Sequence, residues 1–228
     1  MYNGFFQQEE VTRDPGLVLD PAGSPEEIEA RSFAIIDAEA GGRNRFSGRA
    51  RVIARRIVHA GGDLDLFDLM YLPEAAVDAG IRALKSGVPI YADTRMLCSG
   101  IPLRRLGPFG TRVVCIQDVP GLAEEAAALG VTRARAAVGR LKGELGGSIF
   151  AVGNSPTALL ALLGHLEAGG APPALVVAMP VGFVNAEQSK ELVLRRGEPP
   201  VLALRGRRGG SPLAAAAINA LAELAAEA

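Results

Sequence analysis

Five short runs in this chain are apolar almost from end to end, and segments with helical periodicity separate them. The runs are Val88–Ala92, Arg112–Ile116, Ser148–Val152, Ala174–Ala178 and Val201–Leu204. A strand with one face in water alternates apolar and polar residues, whereas a strand without alternation is buried on both faces. Helix candidates fall over Pro73–Lys85, Gly121–Leu129, Arg133–Leu145, Pro156–Ala168, Ala186–Arg195 and Pro212–Ala226; within 156–168, Leu159, Leu162, Leu163 and Leu166 form one stripe. Parallel strands need long crossovers, and amphipathic helices supply them. The pattern predicts an α/β fold: a single three-layer domain, a mostly parallel sheet with helices on both faces.

The 228 residues suffice for one large domain and are short for two. Residues 1–23 lack periodicity and carry Asp14-Pro15-Gly16 and Asp20-Pro21-Ala22-Gly23 turns. They read as an N-terminal arm, with the domain over 24–228. Ser24-Pro25-Glu26-Glu27 supplies an N-cap, a proline at the first helical position and a capping-box glutamate. The helix it opens is expected to place Ile28, Ser32, Ile35 and Ile36 on one face. A second helix, about 47–59, shows Ala50, Ile53, Ala54 and Ile57 at helical spacing and stops at Gly61-Gly62.

In open parallel sheets ligands bind beyond the carboxyl ends of the strands. Three strand ends here run through a turn into a helix: Gly153-Asn154-Ser155-Pro156-Thr157, Met179-Pro180-Val181-Gly182-Phe183-Val184 with Asn185–Lys190 behind it, and Arg205-Gly206-Arg207-Arg208-Gly209-Gly210-Ser211. Free N–H groups and the helix dipole favour anions at such places. Three of them in one domain imply a large polyanionic ligand. Asp93 and Arg95 follow a fourth strand end. Of the 24 basic residues 21 are arginine, which either reflects genomic base composition or suits bidentate recognition of carboxylates. A net charge of −1 provides no global field for nucleic acid or a membrane surface. No apolar run approaches the ~20 residues that span a bilayer, and no targeting pattern opens the chain. A cytoplasmic protein is expected.

Candidates for chemistry are few. His165 sits among leucines, where it reads as a core-edge residue. His59 ends the second helix just before the glycine turn, where the helix dipole favours a protonated imidazole by roughly 0.3–1 kcal/mol. That position suits a general acid near neutral pH, while a histidine in a helix C-terminal turn is more often simply a cap. Arg31, flanked by Ile28 and Ile35, either snorkels to solvent or binds something in a cleft. Cys98 and Cys115 lie in apolar stretches without metal-ligand spacing and read as reduced core residues. There is no phosphate-loop lysine motif, no G-x-G-x-x-G and no G-x-S-x-G. One candidate acid and several anion-binding turns remain, a set that suits a reaction needing positioning and a proton.

These residues resemble the precorrin-8X methylmutase family of cobalamin biosynthesis, including its cobalt-precorrin-8 version. The resemblance covers about 25–225 and rests on Arg31-Ser32-Phe33, Val58-His59-Ala60-x-Gly62-Asp63, Ala83-Leu84-x-x-Gly87-x-Pro89-Ile90 and Asp93-x-x-Met96 with Gly100. It continues through Gly153-Asn154-x-Pro156-Thr157-Ala158-Leu159, Pro180-Val181-Gly182-Phe183-Val184, Ser189-Lys190 and Gly206-Arg207-x-Gly209-Gly210-Ser211. It departs from the family pattern at Ser155, Gln188 and Ala178. The resemblance implies an isomerase that moves a methyl group from carbon 11 to carbon 12 of a corrinoid polycarboxylate, with no cofactor and no metal, as a homodimer. It puts the active-site histidine at His59. It puts substrate contacts at Arg31, Ser32, Asp93, Met96, Arg133, Gly153, Asn154, Ser155, Thr157, Gly182, Phe183, Ser189, Lys190, Arg207, Gly209, Gly210 and Ser211. Two other readings stand beside it: a corrinoid hand-over protein without chemistry, and a phosphate- or nucleotide-handling enzyme using the 153–157 and 206–211 turns.

Overall fold

The computed structural model describes residues 23–141 and 143–227, so the expected arm lies, apart from Gly23, outside the described residues. Six strands, β1 (Met70–Tyr71), β2 (Ile90–Ala92), β3 (Val113–Cys115), β4 (Ile149–Val152), β5 (Leu175–Ala178) and β6 (Val201–Leu204), form one sheet in the order β1-β6-β5-β4-β2-β3. Every pairing is parallel except that of β1 with β6.

Side chains alternate across a strand, so each strand feeds two cores. Ile90, Ala92, Ile149, Ala151, Leu175, Val177, Leu202 and Leu204 face one way. They meet α1 (Pro25–Ala40), α2 (Gly48–Gly61), α3 (Leu66–Leu69), α4 (Glu74–Lys85), α5 (Arg95–Ser99), α6 (Leu103–Leu106) and α11 (Ser211–Glu227). Tyr91, Phe150, Val152, Val176, Ala178, Val201 and Ala203 face α7 (Leu122–Ala128), α8 (Arg133–Arg140), α9 (Pro156–Glu167) and α10 (Ala186–Arg196). This is the three-layer α/β arrangement expected from the runs. The alanine-rich α11 is the most deeply buried helix, packed on α2 and α4. Small residues make that approach possible: a Cβ on Gly80 would stand 2.9 Å from Leu175 and 3.0 Å from Leu221.

The capping box forms, with Glu27 accepting from the Ser24 N–H at 2.8 Å and Ser24 Oγ accepting from the Glu27 N–H at 3.2 Å. The face of α1 differs from expectation. Ile28 and Ile35 are both about half exposed, and the inward side carries Phe33, Ile36 and Ala40. The rotation brings Glu29 to Arg56 at 2.8 Å and Phe33 onto α2, so an ion pair and a ring decide the face instead of two isoleucines. The expected helix over 133–145 stops at Arg140, and α3, α5, α6 and the two-residue β1 carried no readable pattern.

The chain leaves β2 for β3 on one side and then crosses to β4 on the other. The carboxyl ends of β2 and β4, at Asp93 and Gly153, therefore flank the topological switch point, where a crevice opens in folds of this kind.

Candidate active site

At the switch point the crevice is closed by the protein itself. Asp93 is fully buried, and its carboxylate accepts from the N–H groups of Gly153 (3.0 Å), Asn154 (2.8 Å) and Ser155 (2.6 Å). Burial pushes the Asp93 carboxyl up, and the three N–H bonds pull it back. The sequence reading expected those N–H groups to be free for an anion and Asp93 to touch substrate. Instead Asp93 occupies the 153–155 turn, because a buried carboxylate needs donors and the start of α9 offers three. Gln117 holds the Asp93 carbonyl at 2.7 Å, and the Thr94 and Ser211 hydroxyls share a hydrogen bond of 3.0 Å that ties this turn to the start of α11. Ser155, Thr157 and Thr132 form a hydroxyl chain (2.9 and 2.8 Å) that leads to Arg133, exposed at the start of α8.

The other two turns are stitched to each other. The Gly182 N–H donates to the Arg207 carbonyl at 3.1 Å, and the Gly210 N–H donates to the Met179 carbonyl at 2.8 Å. The backbones touch so closely that a Cβ on Gly209 would lie 2.2 Å from the Met179 oxygen. Gly182 (φ 148°) and Gly210 (φ 131°) adopt backbone angles that L side chains rarely reach. Exposed on this surface are Arg207, whose guanidinium lies 5.5 Å from the Phe183 ring, and Phe183 itself, 84% exposed. Met96, on α5, is also exposed. Cationic and apolar groups thus share one rim.

Three further residues expected to contact substrate are buried. Ser189 is fully buried and donates to the Ala186 carbonyl. Lys190 is also fully buried, with Nζ donating to the Arg208 carbonyl at 2.9 Å. Serine next to lysine in the first turns of α10 gave no signal that both side chains turn toward the core. Ser211 is likewise buried, held by Thr94.

His59 lies in the last turn of α2, which Gly62 terminates in the left-handed conformation by donating to the Val58 carbonyl at 2.8 Å. The imidazole is exposed and meets the Phe33 ring edge-on, with centroids 5.2 Å apart. Arg55 and Arg56 stack over the same ring at 4.8 and 5.3 Å. Arg56 bonds Glu29 and Glu223 at 2.8 Å each, and Arg105 also pairs with Glu223. The ring of Phe33 is thereby fixed, and with it one side of His59. A cavity of about 340 Å³ opens beside the histidine, bounded by Arg56, Ala60, Gly100, Pro212 and Ala215. Asp63, four residues past His59, pairs with Arg208 at 2.6 Å, which joins the histidine turn to the Arg207 turn. Arg31 lies on the exposed side of α1, and Ser32 next to it donates back to the Ile28 carbonyl.

Sequence reasoning missed Phe33 and Arg56 as the setting of His59, Thr94 as the partner of Ser211, and the Asp63–Arg208 pair. Phe33 and Asp63 stand within quoted motifs; the others depend on folding partners far along the chain. His165 is buried away from the strand ends, with Nε2 bonded to the Ala171 carbonyl at 3.1 Å. Among the described residues no group of three His, Cys, Asp or Glu side chains converges as a metal site, and no helix is long and apolar enough to cross a membrane. Burial pushes the Cys98 thiol up to about 12 and raises Cys115 as well.

Comparison with known proteins gives a consistent result. The family model for precorrin-8X methylmutase (CbiC) matches residues 27–224. A precorrin-8X methylmutase of Pseudomonas aeruginosa is 42% identical over 210 residues, covering 90% of this chain and 98% of that protein. A cobalt-precorrin-8 methylmutase of Salmonella typhimurium is 39% identical, covering 86% and 94%. The crystal structure of precorrin-8X methylmutase from Thermus thermophilus superposes with a TM-score of 0.79 at 42% identity, over 88% of this chain and 98% of that one. The chain belongs to the precorrin-8X methylmutase family.

Proposed function

We propose that this protein is the isomerase that moves the methyl group of precorrin-8X from carbon 11 to carbon 12, giving hydrogenobyrinate. The bond from the methyl carbon to carbon 11 breaks and the bond to carbon 12 forms. Atoms and electrons balance within one molecule, so no methyl donor, redox partner or water is consumed. His59 lends a proton to the macrocycle as the bond shifts and recovers it afterwards. The observation that carries this reading is the placement of an exposed histidine on the rim of a cavity, joined through Asp63–Arg208 to the turn that bears Arg207. Arg207 and Arg133 receive acetate and propionate carboxylates, and Phe183 and Met96 cover the flat face of the ring.

The cobalt-containing substrate is the second reading, favoured by relatives of similar identity that carry that name. The bonds that break and form do not include one to the metal, so one site serves either form. A macrocycle is wider than the His59 cavity, and we take the active unit to be a homodimer whose second subunit covers the open side. Residues 24–228 form its catalytic domain, working in the cytoplasm. Purified protein incubated with each substrate, followed by absorbance in chelator-treated buffer without S-adenosylmethionine, tests the proposal. Conversion of at least one is the expected result; conversion of neither overturns it.

A further inference from the structure

Lys190 is the one lysine of the strand-end turns, and the fold hides it. Its side chain is fully buried on α10, directly beneath the turn that carries Arg207. Nζ has three protons to donate. The Arg208 carbonyl takes one, and among the described residues Lys190 forms no ion pair. The charged groups around it are Glu187 and Glu191 on its own helix and Arg205, Arg207 and Arg208 on the turn above; Arg205 engages Glu191 at 3.3 Å. The neighbouring α9 has its titratable groups, His165 and Glu167, at the far end, and β6 contributes only apolar side chains. A buried cation without a carboxylate partner is costly unless something compensates for it.

We propose that Lys190 is a positioning residue that anchors the 206–210 turn from below through the Arg208 carbonyl, never touches substrate, and takes up a proton when a polycarboxylate binds above it. The inference rests on the reading of this crevice as a corrinoid polycarboxylate site. Its geometry is a chain of contacts. Lys190 holds the Arg208 carbonyl, the Arg208 side chain holds Asp63 in the His59 turn, and the adjacent Arg207 carbonyl receives the Gly182 N–H. Any change in the Lys190 bond therefore reaches both the histidine and the arginine that faces the ligand. Burial lowers the ammonium to about 8, with Glu187 and Glu191 opposing. Near that pH a good part of the free protein holds a neutral amine. Carboxylates arriving over the turn favour the charged form, which shifts its protonation upward and pulls in a proton.

Titration calorimetry with hydrogenobyrinate at pH 8, in two buffers of different ionisation enthalpy, reads this directly. To remove any contribution from the imidazole, the comparison is His59→Asn against His59→Asn with Lys190→Met. The first is expected to take up roughly 0.3–0.5 proton per ligand, from about half-occupancy of a group titrating there, and the double variant none. The uptake should peak above pH 8 and vanish below about pH 6.5, and that profile alone tests the proposal if the methionine variant does not fold. Binding with equal uptake in both proteins, or with a flat profile, overturns the role of Lys190 and leaves the substrate reading intact. Failure of wild-type protein to bind the corrinoid overturns both.

Discussion

Replacing Asp93 with asparagine isolates the device that closes the switch point. The carboxylate accepts three N–H groups: Oδ1 takes Gly153, and Oδ2 takes Asn154 and Ser155. The best asparagine rotamer keeps its oxygen on the two donors and turns its NH2 toward the third, so the Gly153 N–H faces another donor inside the core. An unsatisfied buried N–H costs about 1–3 kcal/mol, and losing the charge on the two remaining bonds costs about 1 kcal/mol each. Removing a desolvated carboxylate returns part of this, because burial is the largest influence on Asp93 and disfavours its charged form. The net expectation is a loss of about 2–3 kcal/mol, or roughly 5–10 °C in Tm for a chain of this size. Urea unfolding of wild type and D93N measures it. Corrinoid affinity should fall as well, since the 153–155 turn reaches the Arg207 turn through Thr94–Ser211. A stability loss below about 1 kcal/mol with affinity unchanged would refute the reasoning.

Gly209→Ala should cost about 2–4 kcal/mol in urea unfolding, since the new methyl collides with the Met179 carbonyl and strains the Gly210 bond to the same oxygen; an unchanged midpoint would mean that the two turns are not locked. Arg207→Ala should weaken hydrogenobyrinate binding about 5–20-fold, equivalent to ~1–2 kcal/mol, and make the remaining affinity less sensitive to salt, read by fluorescence titration at low and high ionic strength. Cys98, whose thiol burial pushes up to about 12, should react with a thiol-specific disulfide reagent at pH 8.5 far more slowly in folded protein than in urea. The sign follows for stability: a thiol raised in the folded state stabilises fully below its unfolded value and loses that contribution as pH climbs through about 9–12.

The strands were legible because burial on both faces leaves nothing polar to interrupt them, and Phe150 and Val152 in β4 are as apolar as Ile149 and Ala151. Strand order was not legible, since it depends on which edges meet and leaves no mark within a strand. The face of α1 was misread for a related reason. Ile28 and Ile35 look like core residues, and only the partner of Glu29, Arg56 on the next helix, shows which way the helix turns. Within the site, His59 could be placed at a helix end from its following glycines, and the turns around Gly182 and Gly209 from their composition. What could not be read was the direction in which polar side chains point. Asp93 reaches residues 60 to 62 positions away, and Lys190, expected to contact substrate from behind the 179–184 turn, tucks under the 206–210 turn instead. A charged residue at a strand end reads as a ligand contact until the structure shows it consumed by the protein's own backbone.

In the proposed mechanism His59 supplies the proton that eases methyl migration. Single-turnover absorbance with enzyme in excess over precorrin-8X, comparing wild type with His59→Ala and His59→Asn, measures that step apart from product release. Both variants should fold and bind hydrogenobyrinate within a few-fold of wild type, while the rate of conversion falls by about 10²–10⁴, the range typical of a positioned general acid. Conversion by His59→Ala at close to the wild-type rate would contradict the account and reduce His59 to a helix cap packed against Phe33.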